Sequence, residues 1–385
     1  MTRGHLLLGG GLVQGAAALV VAALAGAGTP LATTEGAAAP AGYTVELSPV
    51  GVVHFPRPPR RAVTLDAQYE DMLVALGVGD RLVATGYEGN HHDGFYAEIP
   101  GLTPGIDRAG LKLIGVGLDK ELLYALRAEV HHIDPERLVA MPGWTRTDIA
   151  EITQNLGPFF ANRYSREQSY PGDRPYTYYT AFELAARVGQ VYQRGDRIAA
   201  LEAIYDALVA RIQVDLPPPE ERPRVGLVTY ARGHFTPFSV DRPGFGTAHL
   251  RAVGARDAFA AIRDRTYADA GRGTALDVEG LLALDPDVII MPFAVFASFR
   301  ARFAELQALA DDPVAGRLTA MKAGRVYPGG TPLQGPIFLI FQTEMAAKQL
   351  YPDRFGPYRP AGDYPEGEWL FDRRAVARAL AGRGA

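Results

Sequence analysis

Short β-branched and aliphatic runs alternate along most of the chain with apolar residues at helical spacing. Residues 62–65 (Ala-Val-Thr-Leu) predict a strand, and Tyr69, Met72, Leu73 and Leu76 predict a helix closed by Gly77. Residues 82–85 (Leu-Val-Ala-Thr) predict the next strand. Asp119 reads as the N-cap of a helix through Leu122, Leu123 and Leu126, which leads into a strand at 130–133. This alternation favours a largely parallel sheet covered by helices on both faces.

The second half repeats the pattern. After the cluster Pro217-Pro218-Pro219, residues 224–230 predict a strand. Residues 119–133 then match residues 277–291 in their N-cap (Asp119, Asp277), acidic third position (Glu121, Glu279) and Ala-Leu pair (125–126, 283–284). They also share the acidic-Val pair (129–130, 287–288) that opens the strand. The match falls at the same place in each half, which favours two lobes of similar topology. Between them, Phe182, Val188, Val191, Ile198, Leu201, Tyr205, Leu208 and Ile212 recur at helical spacing without an intervening proline. They predict one helix from about 179 to 212, roughly 50 Å long, and a stiff joint.

The N-terminus differs from the rest. Arg3 and His5 precede an uncharged apolar run from Leu6 to about Ala27, the pattern of an export signal, and the run is also long enough to anchor the chain in a bilayer. Residues 28–44 lack bulky apolar side chains and read as a flexible tether. The organisation expected is therefore a signal or anchor at 1–27, a linker at 28–44, a first α/β lobe at 45–177, a connecting helix at 178–215 and a second α/β lobe at 216–385.

Composition narrows the chemistry. The 385 residues contain no cysteine, which removes disulfides, thiolate catalysis and cysteine-held metals. A net charge of -4 with scattered basic residues gives no sign of a nucleic-acid partner. No phosphate loop, Gly-x-Ser-x-Gly elbow or His-Glu-x-x-His helix is present, so no catalytic residue is named.

Two α/β lobes, a connecting helix and an export signal resemble the substrate-binding proteins of ABC importers for ferric siderophores, haem and cobalamin. The resemblance spans about residues 60–350. It is carried by residues 63–66, the Leu76-Gly77-Val78 helix end, residues 82–86, the run Leu281-Leu282-Ala283-Leu284-Asp285-Pro286-Asp287-Val288-Ile289-Ile290, and the turn-strand 323–327. Segments around Asp107, 131–134, Trp144 and 335–344 look more particularly like haloarchaeal iron-transport binding proteins. The resemblance implies an α/β protein of two Rossmann-like lobes joined by one long helix, with a ligand cleft between the lobes. It implies a non-enzymatic, exported receptor without an intrinsic cofactor. Such a receptor acts as a monomer, captures an iron(III) chelate and delivers it to a permease with its ATPase. Acidic residues such as Glu70, Asp71, Asp264 and Asp269 would meet the permease.

Ligands of open α/β sheets lie beyond the carboxyl ends of the strands. That rule places Tyr69, Tyr87 and Trp144 of the first lobe at the cleft with Tyr230, Arg232, Arg272, Phe293 and Gln334 of the second. The arginines would pair with carboxylate, catecholate or phosphate, and the aromatics would pack on a flat ligand face. His91-His92-Asp93 is the best candidate for direct metal binding, with a solvated loop as the plainer reading. His131 and His132 fall on a strand and point to opposite faces, so they cannot share a site. Tyr164, Tyr170, Tyr176, Tyr178 and Tyr179 read as ferric-iron phenolates or as packing at the joint. The readings left open are a bare-cation receptor, a chelatase-like enzyme and a membrane-tethered sensor.

Overall fold

A computed structural model describes residues 42–86, 93–115, 118–266, 274–294, 299–360 and 364–382, so Tyr87, His91, His92, Asp269 and Arg272 lie outside the described residues. The first element is an antiparallel hairpin of β1 (Tyr43–Leu47) and β2 (Gly51–Phe55). It buries Val45, Leu47 and Phe55, which draws the end of the expected tether into the fold.

The first sheet follows as β3 (Ala62–Thr64), α1 (Ala67–Ala75), β4 (Leu82–Thr85), α2 (Asp93–Ala97), β5 (Lys112–Leu113), α3 (Lys120–Leu126), β6 (Val130–His132), α4 (Pro135–Val139) and α5 (Arg146–Asn155). Its strands run parallel in the order β5-β4-β3-β6. Phe159 adds a parallel bridge beside His131, a fifth strand position.

The predicted single connecting helix is two helices, α6 (Ala181–Tyr192) and α7 (Gly195–Val214). Gln193 turns left-handed at φ 55° and ends α6, and Arg194 leaves helical geometry before α7 begins. The two helices approach so closely that a Cβ on Gly189 would lie 3.1 Å from Gly195 Cα. Apolar spacing alone hides this break, because both helices bury a stripe in the same core. The 20 residues of α7 rise about 30 Å.

The second sheet is built from β7 (Arg224–Ala231), β8 (His234–Phe238), α8 (Ala248–Ala252), β9 (Arg256–Asp257), α9 (Val278–Leu284), β10 (Val288–Met291), α10 (Arg300–Ala308), α11 (Thr319–Lys322) and β11 (Val326–Pro328). The path is β11-β10-β7-β8, with β9 along the start of β7 and β8 the antiparallel member. Arg232 and Gly233 make the two-residue β7–β8 turn with φ 53° and 80°, the left-handed pair that suits strand twist.

The repeat seen in the sequence holds at the level of single bonds. Asp119 caps α3 by accepting from Leu122 N at 2.7 Å, and Asp277 caps α9 by accepting from Gly280 N at 2.8 Å. Each helix ends left-handed, at Arg127 and at Asp285. Arg61 then donates to Leu126 O at 2.8 Å, and Arg224 donates to Leu284 O at 2.6 Å. The acidic residue that opens each strand accepts a backbone N–H, Glu129 from Arg60 and Asp287 from Arg224. The strands that follow, β6 and β10, both pair in parallel with the first strand of their sheet.

The chain closes with α12 (Pro336–Leu350), α13 (Pro352–Phe355) and α14 (Arg373–Leu380). All nine residues of α1 and all fifteen of α12 are buried. One hydrophobic cluster takes in Ala62 and Val130 of the first sheet, Val225, Val288 and Ile290 of the second, and Phe338 and Ile340 of α12. The two sheets thus share a core, and a helix that buries its whole circumference stands between other elements on every side. The two sheets are therefore joined by this shared packing rather than by one long helix.

Two polar seams reinforce it. Asp71 on α1 accepts from Ile337 N (3.0 Å) and Phe338 N (3.3 Å) at the start of α12, and from the Tyr96 hydroxyl at 2.9 Å. A Cβ on Gly335 would lie 2.9 Å from Asp71 Cβ and from Gln68 O, so this approach requires glycine. At the second seam Arg242 donates to Glu167 O at 2.9 Å, and the Gly244 backbone lies against the Arg166 carbonyl where no side chain fits.

Candidate functional site

The strand order reverses between β3 and β6, and the loops leaving those strands diverge to open the crevice where α/β sheets take ligands. Asp66 follows β3 and is 3 % exposed. Arg166 Nη1 lies 3.6 Å from its Oδ1, and Arg163 Nε lies 3.9 Å from the same oxygen. Arg163 retains 20 % of its side-chain exposure, and its Nε has no hydrogen-bond partner. The crevice thus holds a guanidinium with donor capacity to spare in a partly water-excluded setting, where a charge-assisted bond is strong. Beside it, Gln68 is fully buried with neither amide atom hydrogen-bonded.

Asp134 closes the other lip of the crevice. Its carboxylate accepts from Glu136 N (2.8 Å), Arg163 N (2.7 Å) and the Tyr176 hydroxyl (2.5 Å). Burial pushes its pKa up to about 6 against the pull of those bonds. Tyr164, Tyr170 and Tyr176 form a wall of rings, with Tyr170 stacked on Tyr176 at 4.5 Å. Tyr170 donates to Glu136 at 2.8 Å, and Arg146 holds that carboxylate through two bonds of 2.7 and 2.9 Å. Burial raises the Tyr170 phenol to about 12 and the Tyr176 phenol higher still, so both stay protonated. The cluster is packed and hydrogen-bonded, as the plainer sequence reading has it.

Several residues expected at the cleft serve the core. Tyr69 is fully buried, stacks on His132 at 5.4 Å, and exchanges hydrogen bonds with the Asn162 backbone. Trp144 is 8 % exposed and donates to Leu118 O. Gln334 is fully buried, donates to Phe245 O at 2.5 Å, and accepts from Gln342. These three contacts are withdrawn because their polar atoms are committed and the side chains are enclosed. Glu70 and Asp71 are likewise buried, and Arg108 lies 2.8 Å from Glu70, so neither carboxylate is presented to a permease. Asp264 is exposed. Tyr230 packs on Phe235 at the end of β7 with 8 % exposure, while Arg232 is exposed at the adjoining turn. Phe293 follows β10 at φ 67° and donates its N–H to Gly330 O, which joins the loops after β10 and β11.

Sequence reading missed Arg163 and Arg166. The bridge at Phe159 puts residues 160–166 at the carboxyl end of a strand position, but one bridged residue leaves no run of alternating apolar positions to detect.

His131 and His132 point to opposite sides and both are buried. His131 Nδ1 meets Gly157 O, and His132 Nδ1 meets Phe160 O while its Nε2 meets the Tyr192 hydroxyl. Burial lowers each to about 4, and His249 to about 3. Below pH 6.5 the unfolded chain binds protons that these neutral folded histidines refuse. Stability is therefore expected to fall as pH drops from 6.5 towards 4, by up to about 1.4 kcal/mol per histidine per pH unit. The raised Asp134 opposes this in part, since its protonation favours the folded state across about pH 6 to 3.8. Melting temperatures between pH 7.5 and 4.5 test the sign, and a flat profile would contradict it.

Among the described residues no group of three or more His, Asp or Glu side chains could hold a metal ion. Among them, too, no helix is long and apolar enough to cross a membrane, and the apolar run at 6–27 lies outside them.

No family model and no curated protein sequence matches the chain. Solved structures do. The iron-uptake ABC transporter substrate-binding protein PiuA of Streptococcus pneumoniae superposes with a TM-score of 0.57 at 14% identity, covering 81% of this chain and 100% of its own. A protein of an ABC-type Fe3+-hydroxamate transport system from Saccharomonospora viridis gives 0.55 at 19% identity, covering 79% and 98%. The siderophore-binding protein BauB, solved with two acinetobactin molecules and ferric iron, gives 0.54 at 17% identity, covering 80% and 98%. The fold is therefore that of the two-lobed α/β periplasmic binding proteins.

Proposed function

We propose that this protein is an exported, non-enzymatic receptor that captures a ferric siderophore or similar anionic metal chelate between its lobes and hands it to an ABC permease. The observation that carries this reading is the Arg163 guanidinium, held beside Asp66 at the β3/β6 crevice with unused donor capacity. The shared core supports it, since a joint that resists bending suits a large, rigid ligand better than closure around a small one. The fold supports it too, because proteins of this fold include ones described as taking up iron, Fe3+-hydroxamate and a ferric–acinetobactin complex. Arg163 would meet the ligand's oxygen anions, with Arg232, Phe293 and Tyr230 on the facing lobe. Tyr87 and Arg272, outside the described residues, belong to the same proposal, and the chain would act as a monomer.

Thermal stability in the presence of ferric siderophores, haem, cobalamin, Zn²⁺ and Mn²⁺ tests this, because a ligand that binds the folded state raises its melting point. Arg163→Gln is expected to weaken chelate binding about tenfold or more while leaving the ligand-free melting point nearly unchanged. A rise with free cations alone, or a chelate affinity indifferent to Arg163→Gln, would overturn the reading.

A further inference from the structure

A separate chamber of about 460 Å³ lies beside α12, within the size range of small-molecule sites. None of its lining residues belongs to the Arg163–Asp66 crevice. Phe341 and Met345 of α12 form its base, Phe95 closes one side, and Phe303, Tyr358 and Tyr364 supply the remaining aromatic wall. Such a wall suits a flat, apolar body.

The charges are unequal. Arg300, Arg359 and Arg373 line the chamber with Glu98 and Glu344. Arg373 engages both carboxylates, at 2.9 and 2.7 Å, and Arg359 engages Glu368 through two bonds of 3.0 and 3.1 Å. Arg300 is exposed and makes no ion pair among the described residues. It opens α10, whose first turn has no acidic residue, so the positive end of the helix adds to its charge. Arg373 is 1 % exposed, and its guanidinium is committed to Glu98 and Glu344. Of the three guanidinium groups that border the aromatic chamber, Arg300 is therefore the one left to meet an anion.

We infer that this chamber is a second binding site, for an aromatic carboxylate of one or two rings whose anion meets Arg300 while its rings pack against Phe303 and Phe341. The inference does not depend on chelate capture. 2-Naphthoate is the probe, and calorimetric titration of the full chain is expected to show saturable binding with one site. Arg300→Gln should weaken it about tenfold through loss of a charge-assisted contact, and Phe303→Ala about fivefold through loss of one packing ring. Both residues are outside the buried core, so the variants are expected to fold. The uncharged 2-naphthamide should bind about as weakly as 2-naphthoate binds the Arg300→Gln variant, and Arg163→Gln should leave 2-naphthoate binding unchanged. Absence of saturable binding, or binding that Arg300→Gln and Phe303→Ala leave intact, would overturn the site without touching the chelate reading. Displacement of 2-naphthoate by a saturating ferric chelate would overturn its independence from the crevice.

Discussion

Arg373→Ala is expected to cost about 3–5 kcal/mol of stability, because it leaves two enclosed carboxylates without their common cation. The Arg373 side chain is 1 % exposed, with Glu98 6 % and Glu344 2 % exposed beside it. Its guanidinium also lies over Phe341, Trp369 and Phe371 at 4.5–5.1 Å, so packing is lost together with charge. Lys348, 3.9 Å from Glu344, is too far to replace the missing hydrogen bonds. Urea denaturation monitored by fluorescence measures the change. The triple variant Arg373→Met, Glu98→Gln, Glu344→Gln should recover much of the loss, since it removes the unpaired charges as well as their partner. A cost below 1 kcal/mol for Arg373→Ala would mean that water reaches the cluster.

Asp71→Ala is expected to cost about 2–4 kcal/mol. The substitution removes the acceptor that two backbone N–H groups at the start of α12 and the Tyr96 hydroxyl share in the buried seam between α1 and α12. Helix N-termini can ordinarily turn to water for missing acceptors, but α12 is buried from its first residue. Asp71→Asn keeps the size and one acceptor oxygen, and should lose about half as much. Because this carboxylate ties an element of the first sheet to the helix shared with the second, loosened lobes should accompany the loss. Limited proteolysis of the folded variant would show it as faster cleavage at a stability still well above unfolding. Equal cleavage rates in variant and parent would confine the effect to local packing.

The α/β class and the doubled topology were legible because their signals are local. The caps at Asp119 and Asp277 act within three residues of their partners, and the apolar spacing, Ala-Leu pairs and acidic-Val pairs repeat in the sequence itself, although Glu129 and Asp287 bond backbone 69 and 63 positions away. The break at Gln193 was not legible, because apolar spacing persists across it and only the close approach of Gly189 to Gly195 requires a turn there. The site was read only in part. The rule that ligands lie beyond strand ends pointed to a face, yet it could not tell which residues on that face turn inward. Tyr69, Trp144 and Gln334 are spoken for by Asn162, Leu118 and Phe245, contacts 93, 26 and 89 positions away along the chain.

By itself, then, the sequence determined what nearest neighbours decide: the strands, the caps, the repeated unit and the absence of cysteine chemistry. Only the tertiary structure decided that a buried α12 fuses the two sheets into one core and that Arg163 keeps exposure beside Asp66 while Tyr69 is fully buried. The physical reason is distance along the chain. Burial and hydrogen-bond partnership of a polar side chain depend on segments hundreds of residues apart, as between Asp71 and Phe338, and no local pattern encodes that meeting.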